Sequence, residues 1–402
     1  MNQRILSFLM ALFCILELSA FPWDNDEEEK FESIPDAIND FGIYVFKKLN
    51  TNSSEENLVI SPLSITTALT VVQNGAQGET KSAMKKTLNL TDFGDSQINN
   101  QYKKYITKFN QDGEEIETNL VNSLWYSNNF ELNRDFLKRN QIYFNAKISH
   151  LNFSGSGAAQ RINDWVEENT NGRIKNMVSR ISPGAMLYVL NAIYFNGKWQ
   201  IPFDKRLTEK MIFYGGDKEH EVPFMQGSDK FHFYKDAECK VLSLPYSNGH
   251  YSMVIVLPNQ SGNINDLISN FSLQSWKDIN KQMKGQRVEV HLPKFTYSYG
   301  EELNNILKDM GMEVAFDDRK ADFSGISLND KMYISNVIHK AFIEVNEEGT
   351  EAAAATSIEF KSVAATDGQT ETFYANRPFV YFIYDKESHL IQFMGKVVNP
   401  GH

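Results

Sequence analysis

Apolar residues recur at helical spacing through the first half of the chain and in alternating or continuous runs through the second. Between residues 34 and 49, Ile38, Phe41, Val45, Phe46 and Leu49 mark one face of a helix, and residues 95–110 and 160–178 carry the same period. Ser61 before Pro62 is a helix cap followed by proline at the first helical position, which predicts a helix running through Thr70. Beyond Leu187 strands dominate. Residues 186–195 are apolar with few breaks, and 241–246 and 251–257 flank Asn248-Gly249, a strong hairpin signal. Residues 288–292 alternate, 303–310 read as a helix, and 333–345, 379–384 and 390–397 read as strands. Helices first and strands later predict an α+β architecture with large, mostly antiparallel sheets. No internal repeat or low-complexity linker interrupts the chain, so residues 36–402 are expected to form a single domain.

One segment answers to two patterns. In Glu347-Glu348-Gly349-Thr350-Glu351-Ala352-Ala353-Ala354-Ala355-Thr356 and the residues after it, period two puts Thr350, Ala352, Ala354, Thr356, Ile358 and Phe360 on one uncharged face. The other face carries Glu351, Ala353, Ala355, Ser357, Glu359 and Lys361, which is the pattern of a half-buried strand. Yet residues 356–376 are polar and read as an exposed loop. The alanine run is also a good helix former, but the uncharged face continues through Phe360, past any helical turn. The segment is therefore expected to be loop and strand in turn.

Composition adds location and excludes functions. One positive charge in residues 1–4, an apolar stretch over 5–16 and Leu18-Ser19-Ala20 read as a signal peptide over 1–20, with Phe21 the first mature residue. The apolar stretch falls short of the ~18 residues of a spanning helix. A secreted, extracellular, monomeric protein without a membrane partner is expected. Residues 21–35 are acidic and read as a disordered tail. Removing the leader leaves 382 of the 402 residues, and 42% hydrophobic content supports a large core. A formal charge of −11 argues against nucleic acid as partner. Cys14 leaves with the leader, so Cys239 stands alone as a structural thiol and no intrachain disulfide forms. Asn52, Asn89, Asn152, Asn259 and Asn270 head N-glycosylation sequons. No nucleophile elbow, zinc-protease motif, phosphate-binding glycine loop or paired-cysteine metal site occurs, so no catalytic residue, cofactor or metal is expected.

A set of motifs then makes the reading specific. Residues 57–65 (Asn-Leu-Val-Ile-Ser-Pro-Leu-Ser-Ile), Gly75-Ala76-Gln77-Gly78-Glu79-Thr80, Ile162-Asn163-Asp164-Trp165-Val166, residues 191–199 (Asn-Ala-Ile-Tyr-Phe-Asn-Gly-Lys-Trp), Leu292-Pro293-Lys294-Phe295, Ala321-Asp322-Phe323-Ser324-Gly325, His339-Lys340-Ala341 and Asn376-Arg377-Pro378-Phe379 follow one another in order. Together they resemble the serpin family over essentially the whole mature length. The resemblance implies a metastable fold of three β-sheets, one large and central, with about nine helices and an exposed reactive-centre loop over about 347–373. It implies that a chymotrypsin-fold extracellular serine protease attacks this loop and is caught in a covalent 1:1 complex as the cut loop enters the central sheet. By the same resemblance Ser61, Ser64, Asn191 and His339 form a hydrogen-bonded cluster where the sheet parts. Trp199 marks the end where insertion starts, and Lys294 and Glu347 pair beside the hinge, an exposed pair worth ~0–1 kcal/mol.

The residues explain why such a hinge is composed as it is. A charge or proline on the inserting face would cost several kcal/mol or a ladder hydrogen bond. A dozen new ladder bonds supply on the order of 10 kcal/mol, comparable to the stability of an ordinary domain. Inhibitory members place the scissile residue at position seventeen, counting the first hinge acid as one, which gives Val363-Ala364. Valine suits a shallow, elastase-type pocket. Ala364 as the cut residue would keep that preference; Lys361, cut before Ser362, would suit a trypsin-like one. A non-inhibitory serpin (carrier, storage protein or chaperone) is the alternative, although such members carry bulky, charged or proline residues on the inserting face and this chain does not. Lys103, Lys104 and Lys108 share a helix face, with Lys81, Lys85 and Lys86 nearby, as a candidate polyanion site; a solvated face is the simpler reading.

Overall fold

The computed structural model describes residues 30–110, 116–127, 130–182, 184–215, 218–259, 262–329, 331–350 and 370–401. One compact unit begins at Phe31. Its described residues contain nine α-helices: α1 (Ile34–Asn52), α2 (Pro62–Gln73), α3 (Gly78–Thr87), α4 (Asp95–Phe109), α5 (Arg134–Phe144), α6 (Ala158–Asn169), α7 (Ile264–Asn270), α8 (Leu273–Gln282) and α9 (Asn304–Leu307). Their strands are β1 (Leu58–Ile60), β2 (Ile116–Ser127), β3 (Lys147–Leu151), β4 (Leu187–Lys198), β5 (Glu209–Gly215), β6 (Lys218–Lys235), β7 (Cys239–Pro245) and β8 (Tyr251–Pro258). They continue with β9 (Lys284–Pro293), β10 (Phe295–Glu302), β11 (Ile334–Val345), β12 (Gly349–Thr350), β13 (Glu371–Tyr374), β14 (Phe379–Asp385) and β15 (Ile391–Val397).

Six strands form one sheet in the order β10-β11-β12-β4-β2-β3, and β11 also pairs β4 directly. The other nine form a continuous ladder, β1-β15-β14-β8-β7-β6-β9-β13, with β5 on β6. The three sheets expected thus appear as two hydrogen-bonded networks. The 18-residue β6 holds the larger network together, pairing β5 near its start, β9 from Phe224 to Phe233 and β7 at its end.

Local signals account for most boundaries. Ser33 caps α1 by accepting from Asp36 N at 3.2 Å, and Ser61 caps α2 by accepting from Ser64 N at 3.2 Å. Every residue of α2 is buried, so this helix lies under the six-stranded sheet as its core support. Asn248-Gly249 turns the β7–β8 hairpin, with Gly249 in the left-handed region. Two expected helices are shorter than their periodicity. The run over 160–178 is helical only to Asn169, because Asn171 and Gly172 both take positive φ. Its later apolar residues, Ile174, Met177 and Val178, pack in an irregular linker beside Ile162 and Val166 against Tyr188, Leu190 and Ala192 of β4. The run over 303–310 breaks into a short α-helix and a π turn ending near Gly311, whose φ is 98°.

Candidate functional site

The seam between β11 and β4 organises the site. These strands pair in parallel from Ile334 with Leu187 to Phe342 with Tyr194. Above that level they separate, and β12 fills the gap, with Thr350 opposite Val345 on one side and Gly197 on the other. Gly349 sits opposite Lys198 with φ at 155°, and a Cβ there would meet Gly197 O at 2.0 Å, so only glycine fits this entry point.

Midway down the seam, four residues named from the sequence come together. His339 and Asn191 are register partners, and His339 Nδ1 lies 2.6 Å from Asn191 Oδ1. Ser61 N donates to His339 Nε2 at 3.2 Å, which makes Nε2 the acceptor and leaves the proton on Nδ1. Asn191 Nδ2 donates to Ser64 Oγ and, at 2.5 Å, to Asn122 Oδ1. Burial pushes the His339 imidazole down to about 3, so it is neutral and holds this tautomer at ordinary pH. Asn122, opposite Asn191 on β2, extends the cluster over a third strand. Sequence reading missed it because β2 itself was not anticipated.

At the upper end, Trp199 is buried and works through both its backbone and its ring. Trp199 N donates to Glu348 O at 2.8 Å, and Nε1 donates to Asn346 O at 3.0 Å. Its indole stacks on Tyr246, centroids 4.7 Å apart and planes 15° apart. The Tyr246 hydroxyl lies 2.8 Å from Thr350 Oγ1. Tyr246, and Thr208 and Lys205 beside the hinge acids, lie beyond what the sequence motifs indicated.

The hinge itself corrects two expectations. Glu347, Glu348, Gly349 and Thr350 are not an exposed start of a loop: Thr350 is fully buried and Glu347 is 4% exposed. The Lys294–Glu347 pair is accordingly half-buried, its carboxylate inside and its lysine partly exposed. Lys294 Nζ sits 2.9 Å from Glu347 Oε2, and Thr208 Oγ1 donates to Oε1 at 2.9 Å. Burial works to raise the Glu347 pKa, but hydrogen bonds from Lys294 and Thr208 hold it below the usual value. Glu348 pairs with Lys205. At the far end Glu371–Tyr374 forms β13 beside β9, so the loop is anchored before Phe373. Glu351, Ala352, Ala353, Ala354, Ala355 and Thr356 of the hinge, and Lys361, Ser362, Val363 and Ala364 around the cut, lie outside the described residues.

The candidate polyanion face is partly neutralised. Lys108 Nζ lies 2.7 Å from Asp385 and 2.8 Å from Glu387, and Lys103 reaches over the Tyr143 ring at 5.9 Å. Of the sequon asparagines, Asn52, Asn152 and Asn270 are exposed. Asn89 and Asn259 are half-buried with their amide nitrogens engaged, on Asp40 Oδ2 at 3.1 Å and Ala237 O at 2.8 Å.

Comparison with known proteins identifies the architecture. Residues 36–400 match the family described as Serpin (serine protease inhibitor). Human Serpin B11 is 33% identical, over 92% of this chain and 100% of the relative. The native-state crystal structure of a thermophilic serpin, tengpin, superposes with a TM-score of 0.84 at 33% identity, covering 93% of this chain and 96% of that one. Human thyroxine-binding globulin complexed with thyroxine gives 0.85 at 27% identity, covering 92% and 99%. With the match running through the seam, hinge and anchor residues alike, the chain belongs to the serpin family.

Proposed function

We propose that this serpin is a secreted suicide substrate that traps a serine protease as an acyl-enzyme while its cut loop enters the six-stranded sheet. The observation that carries this reading is β12. Gly349 and Thr350 already stand as the first two residues of a strand between β11 and β4, in antiparallel register with both. A strand continuing downward from Thr350 has only the direct β11–β4 pairing to displace. The sequence supplies a continuation without a charge on its inward face as far as Phe360.

The cut is assigned to Val363-Ala364 by the count from Glu347, and an elastase-type enzyme is the favoured target because a valine fills a shallow pocket. Secretion rests on the leader over residues 1–20. The likeness to thyroxine-binding globulin supports a carrier as the second reading. The uncharged inserting face favours the trap.

Incubation with pancreatic elastase separates the two. A trap yields an adduct that survives SDS, and the peptide released with it begins at Ala364. Cleaved chain with no adduct would assign the protein to the carrier class.

A further inference from the structure

Five large hydrophobic side chains are more than a third exposed among the described residues, and three of them fall within eight positions: Leu207 at 51%, Ile212 at 37% and Tyr214 at 49%. Ile142 and Leu328 are isolated on other segments. On β5, Ile212 and Tyr214 flank the fully buried Phe213, so both project from the outer face of the β5–β6 hairpin. Their register partners on β6 are Glu221 and Glu219, and Lys210 lies 3.6 Å from Glu221. Ile212 and Tyr214 make an apolar strip on β5 flanked by charges of both signs, and Leu207 is exposed two residues before that strand.

Its position gives it meaning. The segment from Lys205 to Tyr214 is bonded to both feet of the reactive loop. On the entry side Lys205 pairs with Glu348, and Thr208 donates to Glu347. On the exit side Tyr214 N donates to Asn376 O at 2.8 Å, two residues beyond β13. This segment is therefore tied to both ends of the stretch between Thr350 and Thr370 that carries the assigned cut.

We propose that Leu207, Ile212 and Tyr214 form a second contact surface for the target protease, an exosite beside the loop; this rests on the inhibitory reading above. Its occupant is an apolar part of the protease's active-site rim. The stripe lengthens the life of the encounter complex, and that complex is drained by acylation, so the patch raises the second-order rate of trapping without altering the steps after the cut. Because the rim charges are mixed, the gain depends weakly on salt.

The test compares wild type with Ile212→Ser/Tyr214→Ser against pancreatic elastase, with thermal melting to confirm that both are folded. The expected result is a fall of about tenfold in the rate constant of adduct formation, as for loss of one buried anchor at an interface. Adduct yield per cut and the released peptide stay unchanged, and the rate ratio is the same at low and high salt. A second variant, Leu207→Ser, should show a smaller loss in the same direction. Equal rates for wild type and double variant overturn the exosite while leaving the inhibitor intact; absence of an adduct with wild type overturns the inhibitory reading instead. Concentration-dependent dimerisation of wild type that the double variant abolishes would assign the face to a second copy of the chain and overturn the exosite as well.

Discussion

His339 Nδ1 donates to Asn191 Oδ1 across 2.6 Å, and this bond spans the one seam that an inserting strand has to part. Under the proposed insertion, the register of β12 sets what would take its place. Thr350 is opposite Val345 and Gly197. Continuing antiparallel to both neighbours, each residue further along pairs one residue lower, which brings Thr356 opposite His339 on β11 and Asn191 on β4. Thr356 shares the inward parity of Thr350. Its hydroxyl, donor and acceptor at once, can bridge the two groups that insertion separates. Thr356→Val keeps the shape and removes the bridge. The cleaved form should lose about 1–3 kcal/mol while the uncut form keeps its melting temperature. Equal losses in both forms would refute the register.

The same histidine sets a pH dependence. Burial lowers it to about 3, against ~6.5 in an unfolded chain. Between those values the unfolded chain takes up a proton that the native chain refuses. The contribution of His339 to stability is therefore complete above about pH 6.5 and is lost progressively as pH falls toward about 3. His339→Gln removes this dependence. Thermal melts of wild type and variant should differ most near neutrality, and the gap should narrow on acidification; a gap independent of pH contradicts the assignment.

Lys108 acts as a structural cation. Burial works to lower its pKa, but hydrogen bonds to Asp385 and Glu387 raise it, and Asp385 is only 2% exposed. Lys108→Ala leaves that carboxylate its bonds from Glu387 N and Ser388 Oγ but removes its cation, and should cost about 2 kcal/mol in denaturant unfolding. Lys108→Ala/Asp385→Asn should recover part of the loss. Elution from heparin should not change; loss of heparin retention on replacing Lys104 and Lys108 would restore the polyanion site.

Sequon geometry divides five candidates into two groups. Mass spectrometry of protein exported from a eukaryotic cell should find glycans on the exposed Asn52, Asn152 and Asn270. Occupancy should be lower at Asn89 and Asn259, whose amide nitrogens already donate inside the fold. Full occupancy at Asn89 would contradict this division, because the glycan would occupy the nitrogen that donates to Asp40.

Much of the fold was legible because local chemistry and the global architecture agree. The Ser61-Pro62 cap, the Asn248-Gly249 turn and the alternation over 288–292 each state their element outright. β2 was hidden because Asn119, Asn122 and Ser123 interrupt its apolar run, and the reason for two of them is tertiary: Asn122 and Ser123 are buried in the sheet, with Asn122 facing Asn191. The helix over 160–178 was overextended because periodicity reports burial rather than backbone, and the linker after Asn171 buries its residues against the same sheet. Within the site, motif residues were found and their partners were not. Thr208, Lys205 and Tyr246 lie far in sequence from the hinge they hold, and no local pattern points from one to the other.

The central claim is that Thr350 leads a strand into the sheet after the loop is cut. Thr350 is wholly buried between β11 and β4, against Tyr246, where an arginine would bury its charge at high cost. The most direct measurement is the stoichiometry of Thr350→Arg with pancreatic elastase, read on SDS gels against wild type. The account predicts that the variant is cut at Val363-Ala364 and turned over as a substrate with almost no SDS-stable adduct. Adduct formation by the variant at wild-type stoichiometry would contradict it.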